Sequence, residues 1–338
     1  MPDAGPGAVR VQTISSAMRL FRHYDEFSPE FRGSVIALGN FDGVHRGHQA
    51  VIGEALRRAR LSGVPAAVMT FDPHPRRLFR PDLPPFALTS LRLKARLIEA
   101  LGVDFLYVQH FDAAFAAKSA ETFIEEVLVK GLGVSHVVVG ADYAFGKGRG
   151  GSVEVMRSHA ARFGFDVTAV DLVTGTDAGS SVFSSTVVRK ALADGDTARA
   201  TAILGHPWEI EGRVEHGDAR GRTIGFPTAN LRLGDYARPA TGVYVVQAGI
   251  DRGWQTEWVG GVANYGRRPT FDKTDDLLEV HLFDFSGDLY GQHLRVRFLH
   301  HLRPEQKFSG LDALKAQILA DAAQARIMLA RGAENHTA

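Results

Sequence analysis

The amino-acid sequence has no cysteine among its 338 residues. Disulfide bonds, zinc sites built from thiolates and catalysis by a cysteine nucleophile are therefore excluded. A chain without disulfides suits the reducing cytoplasm, and we expect this protein to act there. The sequence also lacks any run of about 20 apolar residues, the length that a membrane-spanning helix needs, so we expect no membrane association.

The sequence also has no strong excess of positive or negative charge. The 39 Lys and Arg residues nearly balance the 38 Asp and Glu residues, which leaves a net charge of +1. The sequence contains no basic stripe of the kind that would indicate nucleic acid as the main partner. Residues 1–16 contain two prolines but no apolar core of the kind found in secretory signals, so we expect a loose tail over residues 1–15.

Hydrophobic residues make up 45% of the chain, enough for two domains with their own cores. From Val35 to about Leu192, short apolar runs alternate with segments of helical periodicity. This alternation predicts a Rossmann-like parallel sheet with helices on both faces. The predicted strands are Val35–Leu38, Ala66–Phe71, Asp104–Gln109, His136–Gly140 and Asp166–Leu172, and the predicted helices are Gln49–Arg60, Leu91–Leu101, Ala120–Lys130, Val153–Phe163 and Thr186–Ala193.

After about Gly205 the pattern changes to short alternating segments separated by Gly and Asp turns, which predicts an antiparallel barrel. The predicted strands are Trp208–Val214, Gly242–Ala248, Glu257–Ala263, Leu277–Phe285 and Leu294–Phe298, followed by a helix from Leu311 to about Leu329. We therefore predict an α/β nucleotidyltransferase-like domain over 16–193, a linker over 194–206, a barrel domain with its helix over 207–331 and a tail over 332–338.

The most informative segment joins the first predicted strand to the first predicted helix. It carries His45 and His48 in a His-x-Gly-His pattern. Helix N-termini attract anions because their N–H groups are unpaired and the helix dipole is positive there. Two imidazoles at that point can stabilise a phosphate in a transition state. A metal pair or two exposed loop histidines would also give these residues.

Three further segments of this half carry polar residues at the ends of predicted strands or at a helix start. They are Thr70–Pro75 with Asp72 and His74, Val138–Gly151 with Asp142, and Phe183–Arg189 with three hydroxyls and a guanidinium. Each has a simpler interpretation. The hydroxyls could cap a helix, the first segment could fix a turn, and Gly146–Gly151 fits the G-x-G-x-x-G pattern without directly following a strand.

The second half has its own group of segments. Glycines and arginines in Gly212–Gly217 and Arg220–Asn230 could wrap a phosphate chain. Thr228 and Asn230 are two apart in an extended segment, so both can face one side and offer oxygen to Mg²⁺. Glu279, in an otherwise apolar strand, is either a general base whose pKa burial would raise or an outward-facing strand residue.

Together these segments resemble the bacterial bifunctional riboflavin kinase/FMN adenylyltransferases, also called FAD synthetases, from about Met18 to Leu319. The resemblance implies that the barrel phosphorylates riboflavin to FMN with ATP. The first domain would transfer AMP from ATP to FMN, giving FAD and pyrophosphate. Riboflavin, FMN and FAD would be substrates or products rather than prosthetic groups, and Mg²⁺ would accompany ATP.

The resemblance also implies roles for individual residues. In the first domain, His45 and His48 would act on the α-phosphate, with Arg189 as a further catalytic cation on the β- and γ-phosphates. Other ATP-phosphate contacts would be Gly39, Asn40, Phe41, Asp42, Gly43, Ser184, Ser185 and Thr186, and FMN contacts would be Asp72, His74 and Asp142. In the barrel, Glu279 would be the base, Thr228 and Asn230 would bind Mg²⁺, and substrate contacts would be Gly217, Arg222, Thr223, Gly225, Pro227, Asn264 and Arg268.

Three alternatives remain at this point. One domain could be inactive, the chain could be a flavin- or nucleotide-binding regulator, or the first domain could adenylylate another acceptor. The matched site residues and the attached kinase-like half argue against each. We expect ATP, riboflavin and FMN as the partners, without nucleic acid or membrane, and a monomer or weak homo-oligomer.

Overall fold

The computed structural model describes residues 18–23, 27–175, 181–216, 225–252, 255–269 and 274–334, with backbone only at 181, 267–269, 274–275 and 332–334. The strands are β1 Arg19–Phe21, β2 Val35–Leu38, β3 Ala66–Asp72, β4 Phe105–His110, β5 His136–Gly140, β6 Asp166–Val170, β7 Thr174–Gly175, β8 Ser181–Val182, β9 Trp208–Arg213, β10 Ala229–Arg232, β11 Gly242–Arg252, β12 Gln255–Pro269, β13 Thr274–Leu282 and β14 His293–Arg303. The helices are α1 Arg46–Ser62, α2 Pro75–Phe79, α3 Leu91–Glu99, α4 Ala113–Ala116, α5 Ala120–Thr122, α6 Val153–Phe163, α7 Ser185–Ala193, α8 Thr197–Leu204 and α9 Leu311–Glu334.

The first domain is built on a six-stranded parallel sheet with the strand order β1-β4-β3-β2-β5-β6. Its central strand β2 is buried at every position, because helices cover both faces. One face packs against α1 and α3 and the other against α6 and the helical segment Phe123–Leu132. The predicted parallel sheet covered on both sides is confirmed.

The segment predicted as a single α-helix over Ala120–Lys130 has a different form. Only α5 is α-helical, and a π-helical stretch follows over Phe123–Leu132. It ends at Gly133, which adopts a φ of 60° as left-handed helix caps usually do. The apolar residues in this stretch are buried against the sheet, so side-chain burial selected a wider helix than local periodicity predicted.

The second domain is a six-stranded antiparallel sheet in the order β10-β13-β12-β11-β14-β9. The Glu215 N–H donates to the Asn230 carbonyl at 2.9 Å, which joins the two edges of the sheet and closes the barrel. Strands β11, β12 and β14 extend well beyond their predicted ends. The predicted barrel followed by a helix is confirmed.

The stretch 194–206, expected to be a linker, contains helix α8. Asp196 caps the helix by accepting a hydrogen bond from the Arg199 N–H at 2.9 Å, and Gly205 ends it with a φ of 80°. Residues on one face of α8, including Ile203 and Leu204, are fully buried in a cluster that also contains barrel side chains. The two halves of the protein therefore share a hydrophobic core.

None of the helices in the described ranges is both long enough and apolar enough to cross a membrane. This finding agrees with the absence of long apolar runs in the sequence.

Candidate active sites

The His-x-Gly-His segment lies where the sequence predicts it, between the end of β2 and the start of α1. His45 is the N-cap of α1, and its Nδ1 accepts a hydrogen bond from the His48 N–H at 3.3 Å. The two imidazole rings stack with 3.5 Å between their centroids. A Cβ on Gly47 would come within 3.1 Å of the His45 ring, so a side chain at this position would press on the stacked rings.

Both imidazoles are neutral at physiological pH. Burial lowers the pKa of His45 to about 4, the Asp42 carboxylate only partly opposing it. Burial also lowers the pKa of His48 well below its ordinary value, helped by the charges of Lys94 and Arg189. Neutral imidazoles can each donate one N–H to a phosphate without adding a charge that must itself be desolvated.

The buried Asp42 and the partly buried Arg189 form an ion pair beside the histidines. The other Asp42 oxygen accepts hydrogen bonds from the backbone N–H groups of Leu88 at 2.8 Å and Thr89 at 3.1 Å. The Arg189 Nε donates to the Phe86 carbonyl at 2.6 Å. The Asp42 carboxylate, which the resemblance assigned to ATP phosphates, is thus occupied in holding Arg189 and the 86–89 backbone.

The N-terminus of α7 faces the same loop. The Ser184 side chain caps α7, accepting from the Val187 N–H at 3.4 Å, as the simpler interpretation of these hydroxyls expected. The Ser185 hydroxyl donates to the Asp42 carbonyl at 2.8 Å, and Thr186 is exposed. The Phe183 carbonyl lies 3.3 Å from the Cβ position of Gly47 at the start of α1. Two helix N-termini therefore meet here, an arrangement that favours anions.

The predicted FMN contacts lie at the carboxyl ends of β3 and β5. Asp72 ends β3, and His74 caps α2 by accepting from the Arg76 N–H at 3.1 Å. Burial lowers the pKa of His74 to about 4. Asp142 is exposed just beyond β5. Strands β5 and β3 flank β2 in the sheet, so these residues border the histidine turn on both sides.

One short segment connects this site to the barrel. Within residues 86–89, three backbone groups face the first site. The Phe86 carbonyl binds Arg189, and the N–H groups of Leu88 and Thr89 bind Asp42. Other backbone groups of this segment bond to the barrel: the Ala87 N–H donates to the Asp235 carbonyl at 2.9 Å, and the Ala87 carbonyl accepts from the Ala237 N–H at 2.8 Å. The Leu88 carbonyl accepts from the Trp208 indole at 3.0 Å.

A second constellation lies on the barrel. Strand register places Asn230 of β10 opposite Glu279 of β13, and Glu279 opposite Asn264 of β12. Their neighbours Leu278 and Val280 are buried in the barrel core. The three polar side chains therefore form one row on the other face of the sheet. Glu279 therefore points away from the barrel core, as one of its two interpretations from the sequence predicts, and it lies beside two amides.

The Asn230 side chain has an unused acceptor. Its residue is only 6% exposed, and its Oδ1 has no hydrogen-bond partner among the described residues. Thr228, two residues earlier, lines a cavity of about 400 Å³ together with Pro227 and Tyr290. The Asn230 amide oxygen and the Thr228 hydroxyl form a donor set that suits a hard cation.

The loop that carries Thr228 is held by His281. The His281 Nδ1–H donates to the Pro227 carbonyl at 2.9 Å, and its ring meets the Phe226 ring edge-on at 5.5 Å. Gly225 in this loop has a φ of 89°. Three predicted contacts, Gly217, Arg222 and Thr223, lie outside the described residues, and Arg268 is described by its backbone alone.

Comparison with known proteins divides the chain into the same two domains. The FAD synthetase family model matches residues 27–187, and the riboflavin kinase model matches residues 204–329. The bifunctional riboflavin kinase/FMN adenylyltransferase of Escherichia coli K12 is 45% identical over 294 residues, covering 87% of this chain and 92% of the relative. The chain belongs to this bifunctional family.

Other members of the family are similar to nearly the same extent. The enzyme of the same description from Bacillus subtilis is 42% identical over 298 residues, covering 86% of this chain and 91% of the relative. As a bifunctional riboflavin kinase and FMN adenylyltransferase, the chain has riboflavin, FMN and FAD as its substrates and products. The kinase domain follows the adenylyltransferase domain in sequence.

A solved structure from Streptococcus pneumoniae, described as a macrolide-efflux protein, has the same fold. It superposes with a TM-score of 0.79 at 34% identity and covers 90% of this chain and 97% of its own. Its description differs from those of the family members above. The shared feature is the two-domain architecture, an α/β sheet followed by an antiparallel barrel.

Lys94 is a buried polar residue at the first site that the sequence pattern did not indicate. Lys94 of α3 is 5% exposed and donates from its Nζ to the Asn40 carbonyl at 2.7 Å. The sequence offered a weak signal, because α3 is strongly amphipathic and Lys94 lies next to Leu93 on its buried face. A lone lysine in an amphipathic helix usually lies in solvent, so the pattern did not single it out.

Proposed function

We propose that the two activities reside in two separate sites, AMP transfer at the stacked histidines and riboflavin phosphorylation at the Asn230–Glu279–Asn264 row. The observation that carries this proposal is that the two groups of residues belong to different sheets and differ in chemistry. The first offers neutral imidazoles and paired helix N-termini. The second offers a carboxylate and two amides, one of which has an oxygen without a hydrogen-bond partner among the described residues.

In AMP transfer, an ionised FMN phosphate oxygen attacks the α-phosphorus of ATP. A P–O bond forms, the bond to the β-phosphate oxygen breaks, and pyrophosphate leaves. The nucleophile is already ionised, so the residues need supply only positioning and charge stabilisation. His45 and His48 donate to the α-phosphate, while Arg189 and the N-terminus of α7 hold the leaving phosphates.

The proposed contacts around this centre follow from the loop geometry. Backbone groups of Gly39–Gly43 line the turn, and Ser184, Ser185 and Thr186 lie at the facing helix start. Asp72, His74 and Asp142 border the turn and would contact FMN. Asp42 would act through Arg189, since its carboxylate is occupied.

In the kinase reaction, Glu279 accepts the proton of the riboflavin 5′-hydroxyl as its oxygen attacks the γ-phosphorus, and ADP leaves. Alignment and charge neutralisation supply most of the rate in such a transfer. Gly225 and Pro227 shape the loop that lines the cavity, with His281 fixing it. Asn264 lies beside Glu279, and Gly217, Arg222, Thr223 and Arg268 complete the proposed contacts.

The residues present fit a magnesium ion. The buried Asn230 Oδ1 lacks a partner in the described part of the chain, and the Thr228 hydroxyl lies two residues away on the same side. When bound with ATP, the ion would neutralise phosphate charge. Among the described residues, no cluster of three or more His, Asp or Glu side chains could hold a metal by itself. This supports an ion shared with ATP.

We further propose domain bounds of 16–193 and 207–331, with residues 194–206 connecting them, and a cytoplasmic monomer or weak homo-oligomer without nucleic-acid partners. The test of function is a product assay. The purified chain is incubated with riboflavin, ATP and Mg²⁺, and the flavins are separated over time. FMN followed by FAD supports both proposals, whereas FMN without FAD under excess ATP would mean that the first site has another acceptor or is inactive.

A further inference from the structure

Lys94 is a buried cation at the first site that takes no part in the proposed steps of AMP transfer. Its Nζ donates to the Asn40 carbonyl at 2.7 Å and to the Thr70 hydroxyl oxygen at 3.2 Å. The Thr70 hydroxyl donates in turn to the same Asn40 carbonyl at 3.0 Å. Lys94 and Thr70 are 5% and 0% exposed. Side chains from α3 and β3 thus both donate to one carbonyl oxygen of the histidine loop.

This ammonium is unusual because it has no dedicated counter-ion among the described residues. In the described part of the chain, no carboxylate lies within ion-pair distance of its Nζ. Its closest negative neighbours are Asp42, which is already paired with Arg189, and Asp72 at the end of β3. Burial lowers the pKa of Lys94, and these two carboxylates oppose that effect. Burying a charge without a partner is costly unless a ligand uses it.

Lys94 places its charge beneath the loop from Gly39 to His45, which joins β2 to α1 and is the proposed site of the ATP phosphates. Asn40 directly follows Gly39 at the end of β2, and the loop continues to the stacked histidines. The charge of Lys94 helps to lower the pKa of both His48 and His74, so it acts on both sides of the loop. The carboxylates of Asp42 and Asp72 share this region with Lys94, Arg189 and Arg76, and ATP and FMN each bring further negative charge.

We propose that Lys94 is a positioning residue of AMP transfer: from beneath the loop, its ammonium fixes the Asn40 carbonyl and directs its positive charge toward the polyphosphate of ATP. This inference rests on the proposed function of the first site. Since Asp42 offsets the charge of Arg189, Lys94 is a further cation, without an ion-pair partner among the described residues, that can help to balance the incoming phosphates. A preorganised charge in a water-poor site needs no reorganisation when charge builds on the α-phosphate.

The test separates the charge of Lys94 from its hydrogen bond. Lys94→Met removes charge and donor at nearly constant length, whereas Thr70→Val removes the second hydrogen-bonding group and keeps the ammonium. For each variant, kcat and KM for ATP are measured in FAD formation from supplied FMN, and the riboflavin kinase rate of the same preparation reports on folding. His48→Ala serves as the reference for a disabled first site.

We expect Lys94→Met to lower kcat/KM for ATP about 100-fold, the scale of losing one preorganised stabilising group, with the kinase rate unchanged. Thr70→Val should stay within about fivefold of wild type. Lys94→Met within about threefold of wild type, or Thr70→Val as impaired as Lys94→Met, would overturn the inference. If the kinase rate also falls, Lys94→Gln, which keeps a donor, is judged by the same criteria. Wild type failing to form FAD would instead remove the proposed function.

Discussion

The Asp42 carboxylate holds the Arg189 guanidinium on one oxygen and the backbone of residues 86–89 on the other. Residues separated by nearly 150 positions in sequence are thereby fixed beside the stacked histidines. Arg189 is held from a second side by the Phe86 carbonyl. A guanidinium fixed in this way can meet a phosphate with little loss of side-chain entropy.

Replacing Asp42 by Asn should therefore weaken both stability and AMP transfer. Arg189 would keep its charge in a mostly buried position without its carboxylate, and the free energy of unfolding should fall by roughly 2 to 3 kcal/mol. FAD formation should fall at least about tenfold, with the kinase rate unchanged. Urea unfolding and the two product assays measure these effects. Glu30→Gln, which breaks the exposed pair with Arg19, is the matched control and should change neither quantity.

The two activities should separate by mutation. His48→Ala should abolish FAD formation from supplied FMN and leave FMN formation intact, because the stacked histidines lie on the first domain only. Glu279→Ala should do the reverse. Equal loss of both activities in His48→Ala would refute separate sites, and a kinase rate near wild type in Glu279→Ala would remove Glu279 as the base.

His45 should make the protein less stable in mild acid. Its pKa is lowered to about 4 by burial, whereas an unfolded histidine titrates near 6.5. Below about pH 6.5, His45 binds a proton in the unfolded chain but not in the native state. The free energy of unfolding therefore falls as the pH falls toward 4. Between pH 7.5 and 5 this single group should cost about 2 kcal/mol.

The measurement compares urea unfolding of wild type and His45→Gln at pH 7.5 and pH 5. The variant keeps an acceptor for the His48 N–H but cannot titrate in this range. It should lose about 2 kcal/mol less than wild type over the interval, since His48 and His74 still contribute in the same direction. Equal losses would mean that His45 titrates alike in both states.

Gly43 should not tolerate a side chain. It has a φ of 84°, and a Cβ there would lie 2.9 Å from the Leu88 Cδ1. Gly43→Ala should lower the free energy of unfolding by about 2 kcal/mol and slow FAD formation, because the loop must move. Gly53→Ala is the matched control: it lies in α1 with open space around it and should stabilise the protein by about 1 kcal/mol. Equal effects of the two changes would contradict the prediction.

The whole chain should unfold in one transition. Leu192 and Leu204 of the first half share a buried cluster with Trp208 and Tyr244 of the barrel, and residues 86–89 bond to both sides. Calorimetry should therefore show a single peak, and riboflavin with ADP and Mg²⁺ should shift all of it upward by mass action. Two peaks, of which only one responds to the ligands, would show that the domains unfold independently.

Much of the fold could be predicted from local pattern. The uninterrupted apolar run of β2 and the alternation in the barrel strands reflect how many faces of each strand are covered, and this is encoded residue by residue. Helix α8 was missed although Asp196, its buried face and Gly205 are all local signals. The predicted linker there rested on the change of pattern on either side.

The sequence by itself determined the order of the two domains and the histidine turn, because strand, glycine and helix-start signals act over a few neighbouring residues. Only the tertiary structure decided that Asp42 holds Arg189, that Lys94 lies under Asn40, and that Asn230, Glu279 and Asn264 form one row. These relationships depend on strand register and helix docking between distant segments. They are set by the burial of whole faces, which no short pattern records.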